Sequence, residues 1–169
     1  SDTHLFQKLF KLIKKLMIKI NVFIDNKIWK SKFKNPESYL KRYIKKLENF
    51  EYFKKKNIEF SILLTGNQNI KKLNNKFRGK NRATDVLSFP FFKKEILKKI
   101  IKKKINIYVG DIVINFNKIK DNKEYNFYSE LNKLWIHGLV HLFGFKHYKI
   151  TDYKKMNVLE KKILNHINK

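Results

Sequence analysis

The stretch HGLVHLFGFKH, His137 to His147, holds three of the five histidines in this 169-residue chain. If it lies on a helix, His137 and His141 project from one face, with about 5–6 Å between their Cβ atoms. Gly144 can adopt a positive φ and end that helix. The turn that follows can then bring the third histidine back beside the first two. The spacing therefore predicts a metal site with three histidine ligands.

The ligand set favours zinc. Neutral nitrogens without sulfur suit Zn²⁺, although other divalent transition metals stay open. Three protein ligands also leave a fourth position for water, which is typical of a catalytic site. The alternative is that these are ordinary surface or core histidines of a helix. His4 and His166 lie outside the pattern and receive no assignment.

Gly138 separates this pattern from that of a protease. The metzincin proteases share the spacing HxxxHxxGxxH but carry glutamate, their general base, directly after the first histidine. A zinc peptidase is therefore a disfavoured alternative. Glycine inside a helix costs about 1 kcal/mol relative to alanine, and we predict that close approach of substrate or of another backbone explains it.

Composition limits the class of protein. With 43% hydrophobic residues the chain can bury the core of one domain, and the absence of cysteine excludes disulfides and thiolate ligands. A net charge of +26 predicts a polyanionic partner such as nucleic acid or an anionic membrane. However, 37 of the 40 basic residues are lysine, and Ile, Asn and Phe are also abundant. A genome rich in A and T would explain the same charge.

Residues 1–16 are predicted to form a basic amphipathic N-terminal extension of a domain that covers residues 17–169. Leu5, Phe6 and Leu9 recur at helical spacing between lysines. We expect a short helix docked on the domain or a loosely ordered extension, with contact to a membrane or ribosomal surface as the alternative. No apolar run reaches the roughly 18 residues of a membrane span, so no stable membrane insertion is expected. The pattern of a secretory signal is also missing.

We predict an α+β fold, in which a single domain packs helices on a small mixed four-stranded sheet. Pro90 predicts an edge position or the end of the third strand. Asn35 should cap the first helix of the domain, and Thr151 or Asp152 the last. For the segment Lys93–Tyr108 the sequence is compatible with either a hairpin-like connection or a short helix. The predicted strands are 17–25, 58–64, 84–92 and 109–115, and the predicted helices are 36–55, 69–76, 124–143 and 152–167.

A second stretch, NNKFRGKNRATDVLSFPF at residues 74–91, holds two of the three arginines. Arg78, Lys80 and Arg82 lie around Gly79 and could offer their charges to a phosphodiester. An arginine contacts phosphate oxygens with two hydrogen bonds and stabilises developing charge better than lysine does. The alternative is a solvated basic loop.

Together these stretches resemble the YbeY family of bacterial endoribonucleases, the rRNA maturation factors. The resemblance runs in matching order from about Met17 to the end of the chain. It rests on the histidine stretch and on Arg78, Thr84–Pro90, Gly110–Ile114, Met156 and Glu160.

The resemblance implies one zinc ion per chain, held by His137, His141 and His147, and a catalytic role for Arg78. It implies a single-strand-specific endoribonuclease that acts in 16S rRNA 3′-end maturation and ribosome quality control. The implied partners are single-stranded RNA, the 16S rRNA precursor and the small ribosomal subunit, in a bacterial cytoplasm. Arg78, Lys80 and Arg82 are the predicted RNA contacts.

Two positions depart from the family pattern. Lys146 replaces the usual aspartate before the last histidine, which should weaken cation binding unless the ammonium points away. Ala83 replaces the usual proline and should loosen the loop that carries Arg78.

The sequence leaves two parts of the mechanism open, the general base and the nucleophile. No general base is evident, since Asp85 and Asp111 could assist the reaction or merely cap turns at strand ends. The nucleophile could be a water molecule or the RNA 2′-OH. The main rival function is a non-catalytic RNA- or ribosome-binding assembly factor with a structural metal.

Overall fold

The computed structural model describes residues 2–13, 18–103 and 105–169 as an α+β domain with a four-stranded mixed sheet. The strands are β1 Ile18–Ile24, β2 Ile58–Thr65, β3 Val86–Pro90 and β4 Ile107–Asn115. The helices are α1 Asp2–Ile13, α2 Pro36–Lys46, α3 Asn67–Arg78, α4 Lys94–Ile100, α5 Phe127–Leu142 and α6 Ile150–Ile167. Met17, the predicted start of the first strand, lies outside the described residues.

The sheet has the strand order β1-β2-β4-β3, with β1, β2 and β4 parallel and β3 antiparallel to β4. The predicted mixed sheet is therefore confirmed. Pro90 is the last residue of the edge strand β3 and lies opposite Gly110, so the expectation drawn from its missing N–H donor holds.

One face of the sheet forms the main core. Alternate residues of β2, namely Ile58, Phe60, Ile62 and Leu64, are fully buried, as period-2 alternation requires of a strand with one face on a core. Their hydrophobic cluster includes side chains of α2, α5 and α6. Helix α5 also contacts β3, β4 and α6, and this packing places its histidines beside the edge strand.

Helix α2 is shorter than predicted. Asn35 caps it as expected, since its Oδ1 accepts a hydrogen bond from the Ser38 N–H at 3.0 Å. However, the helix ends at Lys46 and a 3-10 turn follows, not the predicted continuation to Lys55. The apolar residues that follow, Leu47, Phe50 and Phe53, recur every third residue, which suits a tighter turn better than an α-helix.

The segment Lys93–Tyr108, left undecided by the sequence, contains α4 and then the start of β4. Helix α5 begins at Phe127 because Asn126 caps it, its side chain accepting from two backbone N–H groups. The predicted cap of α6 is wrong. Thr151 and Asp152 lie inside its first turn, and Lys149 occupies the capping position without a side-chain hydrogen bond.

Helix α1 confirms the helical reading of the N-terminal segment within its described residues. Leu5, Phe6 and Leu9 are 63%, 73% and 51% exposed, so these three side chains do not dock on the domain as one expectation proposed. The predicted division between residues 16 and 17 falls outside the described residues and stays a prediction. Within the described ranges, no helix has both the length and the apolar character needed to cross a bilayer.

Candidate metal centre and its groove

The three predicted histidine ligands lie together at the C-terminal end of α5. One ring nitrogen from each of His137, His141 and His147 lies within 4.8 Å of those of the other two. The Nε2 atoms of His137 and His141 are 3.1 Å apart. A tetrahedral Zn²⁺ with bonds of about 2.0–2.1 Å would place two ligand nitrogens roughly 3.3 Å apart. The arrangement could therefore hold a metal ion.

Hydrogen bonds fix which nitrogens can face a metal. Nδ1 of His141 lies 2.7 Å from the backbone oxygen of Phe145, and Nδ1 of His137 lies 2.8 Å from Oε1 of Glu160. Carbonyl and carboxylate oxygens accept, so both Nδ1 atoms donate, and in the neutral imidazole form each Nε2 atom keeps its lone pair. Two lone pairs this close repel each other, and a shared cation would turn that repulsion into coordination. A carboxylate behind a ligating histidine is a common arrangement at metal sites.

The protonation of His141 agrees with this role. Burial, with a further contribution from neighbouring His137, lowers the pKa of His141 to about 4. The imidazole is therefore neutral near pH 7, as a metal ligand must be. His137 is also half-buried, whereas His147 is exposed, so the cluster opens to solvent on one side.

The turn after α5 follows the predicted pattern. Gly144 has φ +85°, and its N–H bonds to the His141 carbonyl at 2.9 Å. A Cβ there would lie 2.6 Å from Cβ of Lys94 on α4. The positive φ and this close contact both favour glycine, so the turn that returns His147 to the cluster depends on it.

Gly138 is explained by a contact that differs from the predicted one. A Cβ at this position would lie 2.6 Å from Cγ2 of Ile112 on β4, and Ile112 is fully buried. The three nearest atoms all belong to the Ile112 side chain, so the close neighbour is not another backbone. The glycine instead lets α5 approach a side chain of the sheet, and a larger residue would point at the sheet, away from the histidines.

Ser88 connects the two stretches that the sequence singled out. Its backbone oxygen accepts a hydrogen bond from Nη2 of Arg78 at 2.7 Å. Its hydroxyl donates to the carbonyl of Gly138, next to His137, at 3.3 Å. Arg78 is the last residue of α3 and not a loop residue, because α3 is longer than predicted. Gly79, which has φ +64°, caps the C-terminal end of this helix. The guanidinium is thus anchored to the same strand residue as the histidine helix.

A groove of about 1000 Å³ contains both features. Its lining includes Arg78, Lys80 and all three histidines. Arg82 is not among the described residues that line it. The third predicted RNA contact is thereby separated from the other two, although its backbone bonds to the same loop through the Lys80 carbonyl at 2.8 Å.

The two candidate carboxylates lie in different places. Asp85 lines the groove and caps its own turn, since its Oδ1 accepts from the Val86 N–H at 2.8 Å. Asp111 accepts from the Tyr108 hydroxyl and lines a separate pocket with Phe23. It lies on the sheet face opposite to Ile112 because adjacent strand residues alternate. Asp111 therefore does not take part in the groove.

Ser88 and Glu160 belong to the stretches that resemble the family, but the sequence assigns neither residue a role. Glu160 could have been found on the buried stripe of α6, because it lies four residues after buried Met156 and three before buried Ile163. A carboxylate on such a stripe needs a partner. Ser88 offered no comparable indication, since its partners come from α3 and α5.

These features define an α+β protein with a candidate metal centre in a basic groove suited to an anionic ligand. Comparison with known proteins identifies its family. The family model described as Endoribonuclease YbeY matches residues 23–168, and the chain belongs to the YbeY family.

Relatives agree with this assignment. An endoribonuclease YbeY from Pelagibacter ubique is 43% identical over 143 residues, which cover 83% of this chain and 90% of that protein. The endoribonuclease YbeY of Thermodesulfovibrio yellowstonii is 33% identical over 166 residues, covering 95% and 87%. A solution structure of a Thermotoga maritima protein has a TM-score of 0.57 at 27% identity and covers 89% of both chains. Family membership supports an RNA endonuclease role.

Proposed function

We propose that this protein is a zinc-dependent endoribonuclease that cleaves single-stranded RNA in the cytoplasm, in 16S rRNA 3′-end maturation and ribosome quality control. The observation that carries the proposal is the shared anchoring of Arg78 and the histidine helix on Ser88. These hydrogen bonds support the proposal because they hold Arg78 and the helix of two candidate metal ligands on one residue of the same groove. The precursor 16S rRNA and the small ribosomal subunit are the proposed partners.

The histidines and Glu160 would prepare the site for the metal. Glu160 and the Phe145 carbonyl hold the rings of His137 and His141 so that both Nε2 atoms converge, and His147 completes the set from the exposed side. When bound, the ion supplies Lewis-acid polarisation of a phosphate oxygen or a water molecule. A neutral three-nitrogen set suits Zn²⁺.

Arg78 would bind and stabilise the scissile phosphate. One Nη2 donor is used by the Ser88 carbonyl, and the guanidinium lies 5.8 Å from the Phe89 ring centroid. The remaining N–H groups of this exposed side chain can turn to a phosphate, where a forked pair of hydrogen bonds stabilises transition-state charge. Lys80 would hold the neighbouring backbone. Arg82, outside the groove lining, would contribute through the electrostatic field.

The decisive experiment compares zinc-loaded wild type with Arg78→Ala on end-labelled RNA that carries the immature 16S 3′ end. We expect discrete cleavage by wild type and a fall in kcat of about 10²–10³-fold in the variant, as for removal of an oxyanion donor. Arg42→Ala is the matched control. Arg42 is an exposed arginine on α2, 5.3 Å from the Tyr43 ring centroid, and we expect it to leave cleavage unchanged.

The other outcomes are equally informative. Equal cleavage by wild type and Arg78→Ala would indicate a contaminating ribonuclease or a misassigned arginine. Intact RNA with every protein, together with normal binding, would favour the non-catalytic assembly factor. Metal analysis of the same samples should give one zinc ion per chain. A His141→Ala variant that retains a full equivalent would refute the ligand assignment.

A further inference from the structure

Two aromatic side chains in the groove are unusually exposed. Tyr148 is 84% exposed, the largest fraction among the big hydrophobic side chains in the described ranges, and Phe91 is 67% exposed. Both line the groove that contains the histidines. An aromatic ring left in water forgoes the gain from burying its large apolar surface. Two such rings in one candidate site therefore need an explanation.

The backbone holds both rings in the groove that contains the proposed chemistry. Tyr148 directly follows His147, and their ring centroids are 6.3 Å apart. Phe91 follows β3, its N–H bonds to the Val109 carbonyl at 3.0 Å, and its ring meets that of Phe92 edge-on at 5.0 Å. The two rings come from different connections of the fold, the turn between α5 and α6 and the link between β3 and α4.

Charge around the rings points to a polyanion. The groove lining contains six basic residues and three acidic ones. The Lys146 ammonium lies 5.7 Å from the centre of the Tyr148 ring, so the lysine that replaces the family's aspartate is directed to this ring. The six basic residues are Arg78, Lys80, Lys93, Lys94, Lys146 and Lys155.

Aromatic rings interleaved with cations are the common chemistry of single-strand nucleic acid binding. The cations follow the phosphates while bases stack on the rings, and each stacked base contributes about 1–3 kcal/mol. A base inside a duplex has both faces covered by its neighbours and cannot stack on a protein ring without being unpaired. Exposed rings beside the metal centre would therefore favour unpaired RNA.

We propose that Tyr148 and Phe91 are base-stacking positions that select unpaired RNA at this groove, with Lys146 bound to an adjacent phosphate. The inference deepens the proposed function and rests on it, since it takes RNA as the ligand. It assigns the preference for single strands to two residues of this chain. Both rings would hold bases of the substrate and have no assigned part in the cleavage step.

The test measures stacking directly. Zinc-loaded protein is titrated into a short single-stranded RNA that contains the fluorescent base 2-aminopurine, whose emission is quenched by stacking, and a gel checks that the RNA is intact. We expect wild type and Tyr148→Phe to quench the emission. Tyr148→Ala should lose most of the quenching and bind about 5- to 150-fold more weakly, the equivalent of one lost stack. Phe91→Ala should weaken single-strand binding in the same way.

Two controls separate stacking from charge and from folding. Tyr153→Ala removes a ring on α6 that is 57% exposed and lies outside the groove lining among the described residues. It should bind as wild type does. A blunt RNA duplex of equal length should bind wild type and Tyr148→Ala alike. Unchanged single-strand affinity of Tyr148→Ala, or an equal loss for single strand and duplex, would overturn the inference.

The two proposals fail in distinguishable ways. If RNA is cleaved but Tyr148→Ala quenches and binds as wild type does, the nuclease assignment stands and the stacking assignment falls. If no RNA is cleaved but quenching depends on Tyr148, the groove is a single-strand binding site without nuclease activity. In a cleaving protein, Tyr148→Ala should raise KM for single strands more than it lowers kcat.

Discussion

Replacing Gly138 with alanine should destabilise the protein, although alanine is the better helix former. The position lies inside α5, where glycine costs about 1 kcal/mol relative to alanine. However, the new Cβ would lie 2.6 Å from Cγ2 of Ile112 and 3.1 Å from its Cγ1. Ile112 is fully buried on β4, and its β-branched side chain has few alternative rotamers. Either the helix or the strand must move.

The size of the effect follows from these two opposed contributions. Extra volume in a packed core costs typically about 1–3 kcal/mol, and the gain in helix propensity returns about 1 kcal/mol. Because both neighbours are held in regular structure, we expect a net loss of about 1–2 kcal/mol in the free energy of unfolding. In an Ile112→Ala background the steric contribution vanishes, so Gly138→Ala should there stabilise the protein by up to about 1 kcal/mol.

The assay is urea unfolding of wild type, both single variants and the double variant, with chelator present so that metal binding does not contribute. The predicted reversal of sign corresponds to a coupling of about 2–3 kcal/mol, within the range found for residues in contact. Ile112→Ala alone should cost about 2–5 kcal/mol. If that variant does not fold, Ile112→Leu, which lacks the Cγ2 methyl that would lie 2.6 Å from the new Cβ, provides a second background. The reasoning would be refuted if Gly138→Ala stabilised the wild-type protein, or if it changed the free energy of unfolding equally in the wild-type and Ile112→Ala backgrounds.

Three further predictions concern the metal and the RNA. Glu160→Gln should weaken zinc affinity about 10–100-fold, because the carboxylate that orients His137 is lost. Competition with a chelator measures the affinity, and Glu37→Gln is the control. Equal zinc affinities of Glu160→Gln and wild type would contradict this role of Glu160. Metal removal should lower Tm, since an ion present at 100 times its Kd stabilises the folded state by about 2.7 kcal/mol; an unchanged Tm in calorimetry would argue against binding to the folded state. RNA affinity should fall with salt, and Lys80→Gln should reduce the slope of log K against log salt by about 0.7. The control is Lys41→Gln, since Lys41 lies on α2 and pairs with Glu37 at 2.6 Å, and it should reduce the slope less. Equal slopes for the two variants would show that Lys80 does not contact the RNA.

The sequence predicts what depends on local spacing. The interval between His137 and His141, and the glycine at position 144, define the cluster because helix geometry and a positive φ act over a few residues. The four strands follow from alternation, and Pro90 identifies the edge strand. The failures are also local. The prediction that failed for α2 concerns Leu47, Phe50 and Phe53: a 3-10 turn over Leu47–Asn49 follows α2, and Leu47 and Phe53 are fully buried while Phe50 is partly buried.

The spacing of residues in the sequence does not predict contacts between distant segments. Asp111 and Asp85 both lie near the ends of predicted strands, yet only the structure shows that Asp85 precedes β3 and lines the groove, whereas Asp111 lies within β4 and lines a separate pocket. Gly138 was correctly recognised as a position of close approach, but its neighbour Ile112 lies 26 positions earlier in the chain. The direction in which a side chain at position 138 would point could be obtained only from the packing of α5 on β4.

That direction adds to the argument against the peptidase alternative, which rested on the missing glutamate at position 138. A glutamate at position 138 would begin from a Cβ pressed against Ile112, on the side of α5 that faces the sheet, whereas the ring nitrogens of His137 and His141 converge in the groove. The glycine is therefore required by the packing of α5 on β4. The same close packing brings the Gly138 carbonyl within reach of the Ser88 hydroxyl, and Ser88 in turn holds Arg78. The residue that excludes a protease base is thus part of the connection that holds Arg78 and the histidine helix on one strand residue.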